Sequence, residues 1–121
     1  MRHTTVRDGK RLIWHTERLW VLAKDLVPFE KKIDEIAEVD RDCWFGEGKE
    51  PTVRAVVDHA KRIIEADPAY PVIFNADGRL MDGGHRIGKA MIEGRSTVMA
   101  VQFESMPEPD EVVEIGGITS W

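Results

Sequence analysis

The sequence predicts a small α+β domain built around one mixed sheet. Two observations lead to this fold class. The chain has 121 residues, of which 42% are hydrophobic, and this supports one packed core but hardly two. The apolar residues recur with two periods: a helical period over residues 51–66, and short strand-like runs at 71–75 and 98–103. We therefore expect a single domain over residues 1–121.

Elements in the N-terminal half are predicted from brief apolar runs. Residues 19–23 (LWVLA) have the composition of a strand, and apolar residues at helical spacing predict a short helix over residues 30–38. Residues 40–50 are rich in Asp and Gly, which predicts a loop. The apolar triplet 43–45 (CWF) inside that loop must therefore cover another part of the molecule.

The strongest helix signal lies between residues 51 and 66. Pro51 suits the first helical position, where its missing N–H costs nothing, and Asp67-Pro68 ends the pattern. One stripe follows the helical period and predicts the apolar face: Val53, Val56, Val57, Ala60, Ile63 and Ile64.

A hairpin is predicted next. Residues 71–75 are rich in β-forming residues, and residues 79–82 have the length of a returning strand. Asp77 and Gly78 between them tolerate the positive φ angles that a type I′ turn requires. Gly83 and Gly84 then change the direction of the chain.

A second helix and a last strand complete the predicted domain. The helix spans residues 85–93, with Ile87, Ala90 and Met91 facing inward, and Gly94 ends it at the usual C-terminal glycine position. Residues 98–103 predict the strand. Two prolines, at 107 and 109, mark the exit from the compact part of the chain.

Composition excludes several classes of protein. The chain has 17 Lys and Arg against 22 Asp and Glu, and the net charge of −5 disfavours binding nucleic acid over the whole surface. A single cysteine, Cys43, excludes an internal disulfide framework and suits the reducing cytoplasm. No apolar run approaches the roughly 20 residues that span a bilayer, so we expect a soluble cytoplasmic protein without a membrane partner.

Charge is distributed unevenly along the chain. The first eighteen residues are mildly basic, whereas residues 104–121 carry five acidic residues and no Lys or Arg. Opposite charges predict attraction between the two ends, or between one end and a second copy in a homodimer. The simpler alternative is that residues 104–121 form a solvated acidic C-terminal tail.

The segment that indicates a binding site lies at the start of the second predicted helix. A helix N-terminus presents unpaired N–H groups and the positive end of the helix dipole, and the glycines at 83 and 84 let an anion approach that backbone. Arg86 can bind phosphate in a bidentate manner, and Lys89 lies one turn later. The pattern therefore predicts a phosphate site whose candidate binding residues are Gly83, Gly84, His85, Arg86, Lys89 and Arg79.

A purely structural interpretation of the same segment stays open. In it the glycines only turn the chain, Asp82 caps the helix, and Arg86 pairs with a carboxylate of the tail. If the site is catalytic, Asp82, His85 and His59 are the candidate acids and bases, and Asp82 could also bind Mg²⁺ near phosphates. His59 is more simply a half-buried residue with a hydrogen-bond partner. No histidine pair has zinc-ligand spacing, so no metal residues are assigned.

Part of the chain resembles the ParB/sulfiredoxin-like superfamily. The residues that carry the resemblance are Gly83-Gly84-His85-Arg86, where partition proteins have Gly-Glu-Arg-Arg and sulfiredoxins have Gly-Cys-His-Arg, together with Lys89-Ala90 and Gly94 before a strand. The resemblance implies that a strand pair delivers glycine and basic residues onto a helix start that holds nucleotide phosphates. ATP, ADP or CTP, with or without Mg²⁺, would then be the ligand.

The departures from that family narrow the expected function. Gly84 stands where a sulfiredoxin has its reactive cysteine, so sulfiredoxin activity is not expected, and it also replaces the glutamate of partition proteins. No helix-turn-helix follows, so sequence-specific DNA binding is not expected either. We expect a nucleotide- or phosphate-binding domain. The alternatives are a phosphoryl-transfer enzyme, such as a small-metabolite kinase or nucleotidase, and an inactive regulatory module whose tail, ending in Trp121, docks on another chain.

Overall fold

Two sheets and three α-helices make up the part of the chain that the structure, a computed structural model, describes: residues 2–46 and 50–115. The strands are β1 (Arg2–Arg7), β2 (Lys10–His15), β3 (Phe29–Lys32), β4 (Val72–Phe74), β5 (Leu80–Asp82), β6 (Thr97–Gln102) and β7 (Glu111–Glu114). The helices are α1 (Thr16–Ala23), α2 (Val53–Glu65) and α3 (Gly84–Ile92). The predicted α+β class is confirmed, and no helix in the described residues is long and apolar enough to cross a membrane.

The central sheet is the mixed sheet that the sequence predicts. Its order is β3-β6-β4-β5, with β4 parallel to β6 and the other two pairs antiparallel. All three residues of β4 are buried, because both faces of this strand are covered. Ile73 packs on one face with Trp14 and Leu19, whereas Val72 and Phe74 pack on the other face against α3.

A second sheet, of order β1-β2-β7, is absent from the sequence prediction. Its β1–β2 hairpin turns at Asp8 and Gly9, whose φ angles of 54° and 72° are both positive, and Arg7 pairs directly with Lys10. This is the geometry of a two-residue type I′ turn. The Asp-Gly pair at 8–9 is the same turn signal as the pair at 77–78, so this hairpin is predictable from the sequence.

The third strand of that sheet comes from the segment predicted to be a solvated tail. Residues 111–114 pair antiparallel with β2, and Trp14 Nε1 donates to the carbonyl of Pro107 at 2.9 Å. Arg18 lies 3.4 Å from Asp110, so the predicted attraction between basic and acidic ends is present within one chain. The compact part therefore continues past Pro107 and Pro109. Trp121 and the rest of 116–121 lie outside the described residues.

Two N-terminal elements differ from their predictions. Residues 19–23 are helical, since only Leu19 and Ala23, four residues apart, are buried with Thr16, and the apolar residues between them face solvent. Residues 30–38 are not an α-helix: β3 is followed by single 3₁₀ turns at Ile33–Glu35 and Ala37–Asp40. In both places a short apolar run did not reveal which residues would be buried.

The helix predicted over 51–66 is confirmed, although its details differ. It begins after Thr52, whose hydroxyl accepts a hydrogen bond from the Ala55 amide at 3.1 Å, so Pro51 lies outside the helix. The apolar stripe is not buried: Val53 is 82% exposed and Ile64 is 72% exposed. Met91 on α3 was likewise predicted to face inward and is 48% exposed.

The hairpin formed by β4 and β5 is confirmed, but not its turn type. Only Gly78 has a positive φ angle, of 82°, whereas a type I′ turn needs two such residues. The backbone of Asn75 closes a wider turn instead. Its backbone carbonyl accepts a hydrogen bond from the Gly78 amide, and its backbone amide donates one to the Arg79 carbonyl. Gly94 has a φ angle of 76° and ends α3 as predicted.

Two glycine substitutions test how the corner between β5 and α3 is built. Gly83→Ala is expected to lower the free energy of unfolding by about 3 kcal/mol, because φ is 120° and the new Cβ would lie 2.5 Å from Val72 Cγ1. Gly78→Ala is the matched control: its φ is also positive, but nothing lies within 4 Å, so about 1 kcal/mol is expected. Urea unfolding followed by circular dichroism measures both, and equal losses would contradict this account.

Candidate functional site

A cleft of about 980 Å³ lies between β1 and the start of α3. The Gly83–Gly84 corner and His85 form one wall, and residues of β1 lie across from them. Six arginines line the cleft: Arg2, Arg7, Arg41, Arg62, Arg79 and Arg86. The same lining carries five carboxylates: Glu38, Asp42, Asp67, Asp77 and Asp82. Three of them, Glu38, Asp77 and Asp82, pair with arginines of the cleft. The cleft therefore mixes both charges, with a small excess of arginine.

The glycines are explained by packing before any ligand is considered. Gly83 is the N-cap of α3, and a side chain there would collide with Val72. A Cβ on Gly84 would lie 3.0 Å from Nε1 of Trp44. The two glycines thus let β4 and the Trp44 indole come close to the start of the helix.

The first backbone amides of α3 have no acceptor among the residues that the structure describes. Ile87 N is the first to bond, to the Gly83 carbonyl at 3.0 Å, and the helix has no side-chain cap. Within residues 2–46 and 50–115, no acceptor forms a hydrogen bond with the backbone amides of Gly84, His85 and Arg86. The same is true of Nε1 of Trp44, which lies beside Gly84. These unpaired donors lie where the helix dipole is positive, which is the arrangement that binds anions.

Arg86, predicted to bind phosphate directly, is held inside the protein. Its Nη2 donates to Oδ2 of Asp82, and its Nη1 donates to the carbonyls of Tyr70 at 3.0 Å and Pro71 at 2.8 Å. The two side chains are only 12% and 9% exposed. The structural interpretation instead paired Arg86 with a carboxylate of the tail. That prediction is wrong, because the partner is Asp82.

The structural interpretation predicted that Asp82 caps the helix. That prediction is wrong, because α3 has no side-chain cap. Besides Arg86, its Oδ2 accepts a hydrogen bond from Trp20 Nε1 at 2.7 Å. This carboxylate, one of the candidate catalytic groups, therefore links α1 to α3. Its contacts are those of a residue that fixes other side chains in place.

Of the other two cations predicted to bind phosphate, Arg79 lines the cleft and Lys89 does not. Lys89 Nζ donates to the carbonyls of Ile64 at 3.0 Å and Ala66 at 2.8 Å, so it satisfies the C-terminal end of α2 and lies away from the cleft. Arg79 lines the cleft, 3.0 Å from Glu38, and its side chain is more than half exposed. Arg79 thus lines the same cleft as the start of α3, whereas Lys89 does not.

His59 and His85, far apart in sequence, are brought together. His59 Nδ1 lies 2.8 Å from His85 Nε2, and the Trp44 ring stacks on both imidazoles with centroid distances of 4.9 Å. Phe45 meets His59 edge-on. Trp44 and Phe45 of the triplet 43–45 therefore cover this histidine pair, as expected of apolar residues in a polar loop. Asp42 fixes that loop by accepting hydrogen bonds from the amides of residues 44–46.

The surroundings keep His85 neutral at pH 7. Burial lowers the pKa of His85 below its ordinary value of 6.5, and electrostatic interactions with His59, Arg62 and Arg86 lower it further, while Asp82 opposes them. His3, across the cleft on β1, also has a lowered pKa because of burial. A neutral imidazole can accept a proton, so His85 has the protonation state that a general base needs.

Three arginines of the cleft have no carboxylate partner among the described residues: Arg2, Arg41 and Arg62. Sequence reasoning missed them, because they come from β1, the loop and the last turn of α2. Only the fold brings them to one cleft. In the described parts of the chain, no group of three or more His, Cys, Asp or Glu side chains is arranged to hold a metal ion.

Comparisons with protein-family models, with curated proteins and with solved structures found no match to this chain. The class of protein is therefore defined by its fold and cleft: a small α+β domain with an arginine-lined cleft at a helix start. The resemblance to the ParB/sulfiredoxin-like superfamily stays a prediction.

NMR titration of the imidazole signals tests the histidine pair. The midpoint of His85 is expected below 6.5, and in His59→Gln it should rise but stay below 6.5, because burial is the larger cause. The unfolded chain then binds this proton more readily than the folded one, so the free energy of unfolding falls as the pH drops below 6.5. His15→Gln, on an exposed histidine of β2, is the control and should leave His85 unchanged. A wild-type midpoint at or above 6.5 would contradict this account.

Proposed function

We propose that this chain is a phosphate-binding domain whose natural ligand is a nucleotide, with the phosphates at the start of α3. The observation that carries the proposal is that the amides of Gly84, His85 and Arg86 meet no acceptor in the described part of the chain, while these three residues line the cleft that holds the arginines. Backbone N–H groups at a helix N-terminus, with glycines that admit close approach, form a common phosphate site.

The proposal assigns different roles to the arginines than the sequence did. Arg86 is a positioning residue, since its donors already meet Asp82 and two carbonyls. Arg62, at the last turn of α2 and close enough to influence His85, is the cation that we expect to meet the phosphates, supported by Arg41 and Arg2. A charge-assisted hydrogen bond from such an arginine contributes about 1.5–3 kcal/mol.

The arrangement of strands supports a ParB/sulfiredoxin-like fold as part of this proposal. The β4–β5 hairpin delivers the glycines to α3, as the resemblance implies. Together β5 and α3 then connect β4 to its parallel neighbour β6. The proposal is for binding of a nucleotide, and the cellular role is left unassigned.

Titration with inorganic tripolyphosphate, followed by ¹⁵N–¹H NMR with and without Mg²⁺, tests the proposed function. The amides of Gly84, His85 and Arg86 are expected to show the largest shifts. Arg62→Gln should weaken binding about tenfold, which corresponds to about 1.4 kcal/mol, because it removes from the cleft a cation that has no carboxylate partner in residues 2–46 and 50–115.

Arg11→Gln supplies the matched control, because it removes the same charge from β2, outside the cleft. It should change the affinity far less than Arg62→Gln. The proposal would be wrong if millimolar tripolyphosphate left the α3 amides unshifted, or if both variants weakened binding equally.

A further inference from the structure

Two aromatic side chains stand exposed at the edge of the same cleft. Trp20 on α1 is 52% exposed, and Tyr70, just before β4, is 63% exposed. Their rings are nearly parallel, with an interplanar angle of 17° and a centroid distance of 6.3 Å. Large aromatic rings at a surface lose the hydrophobic stabilisation that burial would give, so a held and exposed pair points to a ligand.

The ion pair described above holds both aromatic residues. Asp82 accepts the indole N–H of Trp20 at 2.7 Å, and Arg86 donates to the backbone carbonyl of Tyr70 at 3.0 Å. Gly83 follows Asp82 as the N-cap of α3, and the unpaired amides begin at the next residue, Gly84. One buried pair thus positions the aromatic rings and the start of α3 relative to each other.

The outer face of the aromatic pair suits a flat guest. The two rings already stack on each other, with the centroid distance of 6.3 Å given above. A further planar ring can stack on the outer face of Tyr70, at the carbon contact distance of roughly 3.5 Å, without any opening of the pair. Trp44, the other aromatic ring near the helix start, is already stacked on the two histidines.

We infer that Trp20 and Tyr70 form the site for the nucleobase of the nucleotide whose phosphates bind at α3. This inference rests on the proposed function and adds the class of ligand: a nucleoside phosphate rather than a free phosphate or polyphosphate. Stacking on aromatic side chains recognises the flat face of a base, which every base has. The pair therefore contributes affinity for a base without selecting one.

Calorimetric titration with ATP, inorganic tripolyphosphate and adenosine tests the inference. The wild-type chain is expected to bind ATP about tenfold more tightly than tripolyphosphate, the gain that one stacked base gives. Tyr70→Leu should abolish this difference while leaving the tripolyphosphate affinity unchanged, because Arg86 contacts only the backbone of Tyr70. Tyr70→Phe keeps the ring and should behave as wild type. Phe29→Leu, on an exposed aromatic residue outside the cleft, should also have no effect.

The outcomes separate this inference from the proposed function. Equal affinity for ATP and tripolyphosphate, or an equal loss of both in Tyr70→Leu, would overturn the base site and leave the phosphate site standing. If tripolyphosphate fails to bind but adenosine binds and loses affinity in Tyr70→Leu, the phosphate site is overturned and the aromatic site is supported. Binding of none of the three overturns both.

Discussion

The buried ion pair between Asp82 and Arg86 is the interaction on which the rest of the site depends. It joins the end of β5 to the first turn of α3, and through hydrogen bonds it also holds Trp20 of α1 and the backbone before β4. Both side chains are almost fully buried, so removing one partner would leave an uncompensated charge, at a cost of about 3–5 kcal/mol. The pair is thus a structural unit that connects three elements.

Within the short segment 82–86, the side chains of Asp82 and Arg86 hold the structure together, whereas the backbone amides are left to bind a ligand. Because Arg86 is occupied, the donors that remain for a ligand are backbone amides of α3, the Trp44 indole and the arginines of neighbouring elements. Gly83 makes the arrangement sterically possible, since its φ of 120° and the closeness of Val72 strongly disfavour any side chain there. A motif that resembles a phosphate clamp in sequence therefore acts here mainly as the frame of a cleft.

Sequence reasoning succeeded where structure is determined locally and failed where burial is decided by distant partners. The β4–β5 hairpin, the glycine corner and α3 were predictable, because turn residues and helical spacing lie within a few residues of each other. The LWVLA run, the exposed stripe of α2 and the pairing of β7 with β2 depend on contacts across the fold. For the same reason the histidine pair and the Trp20–Tyr70 pair could not be foreseen, whereas the Asp8-Gly9 turn could have been.

A crystal structure with ATP bound is the most direct test of the central claim, that Arg86 frames the phosphate site and does not itself bind phosphate. The account predicts phosphate oxygens about 3 Å from the amides of Gly84, His85 or Arg86, with the guanidinium of Arg86 still bound to Asp82. A structure in which Arg86 leaves Asp82 to bind the phosphates, or in which the phosphates lie away from the start of α3, would contradict it.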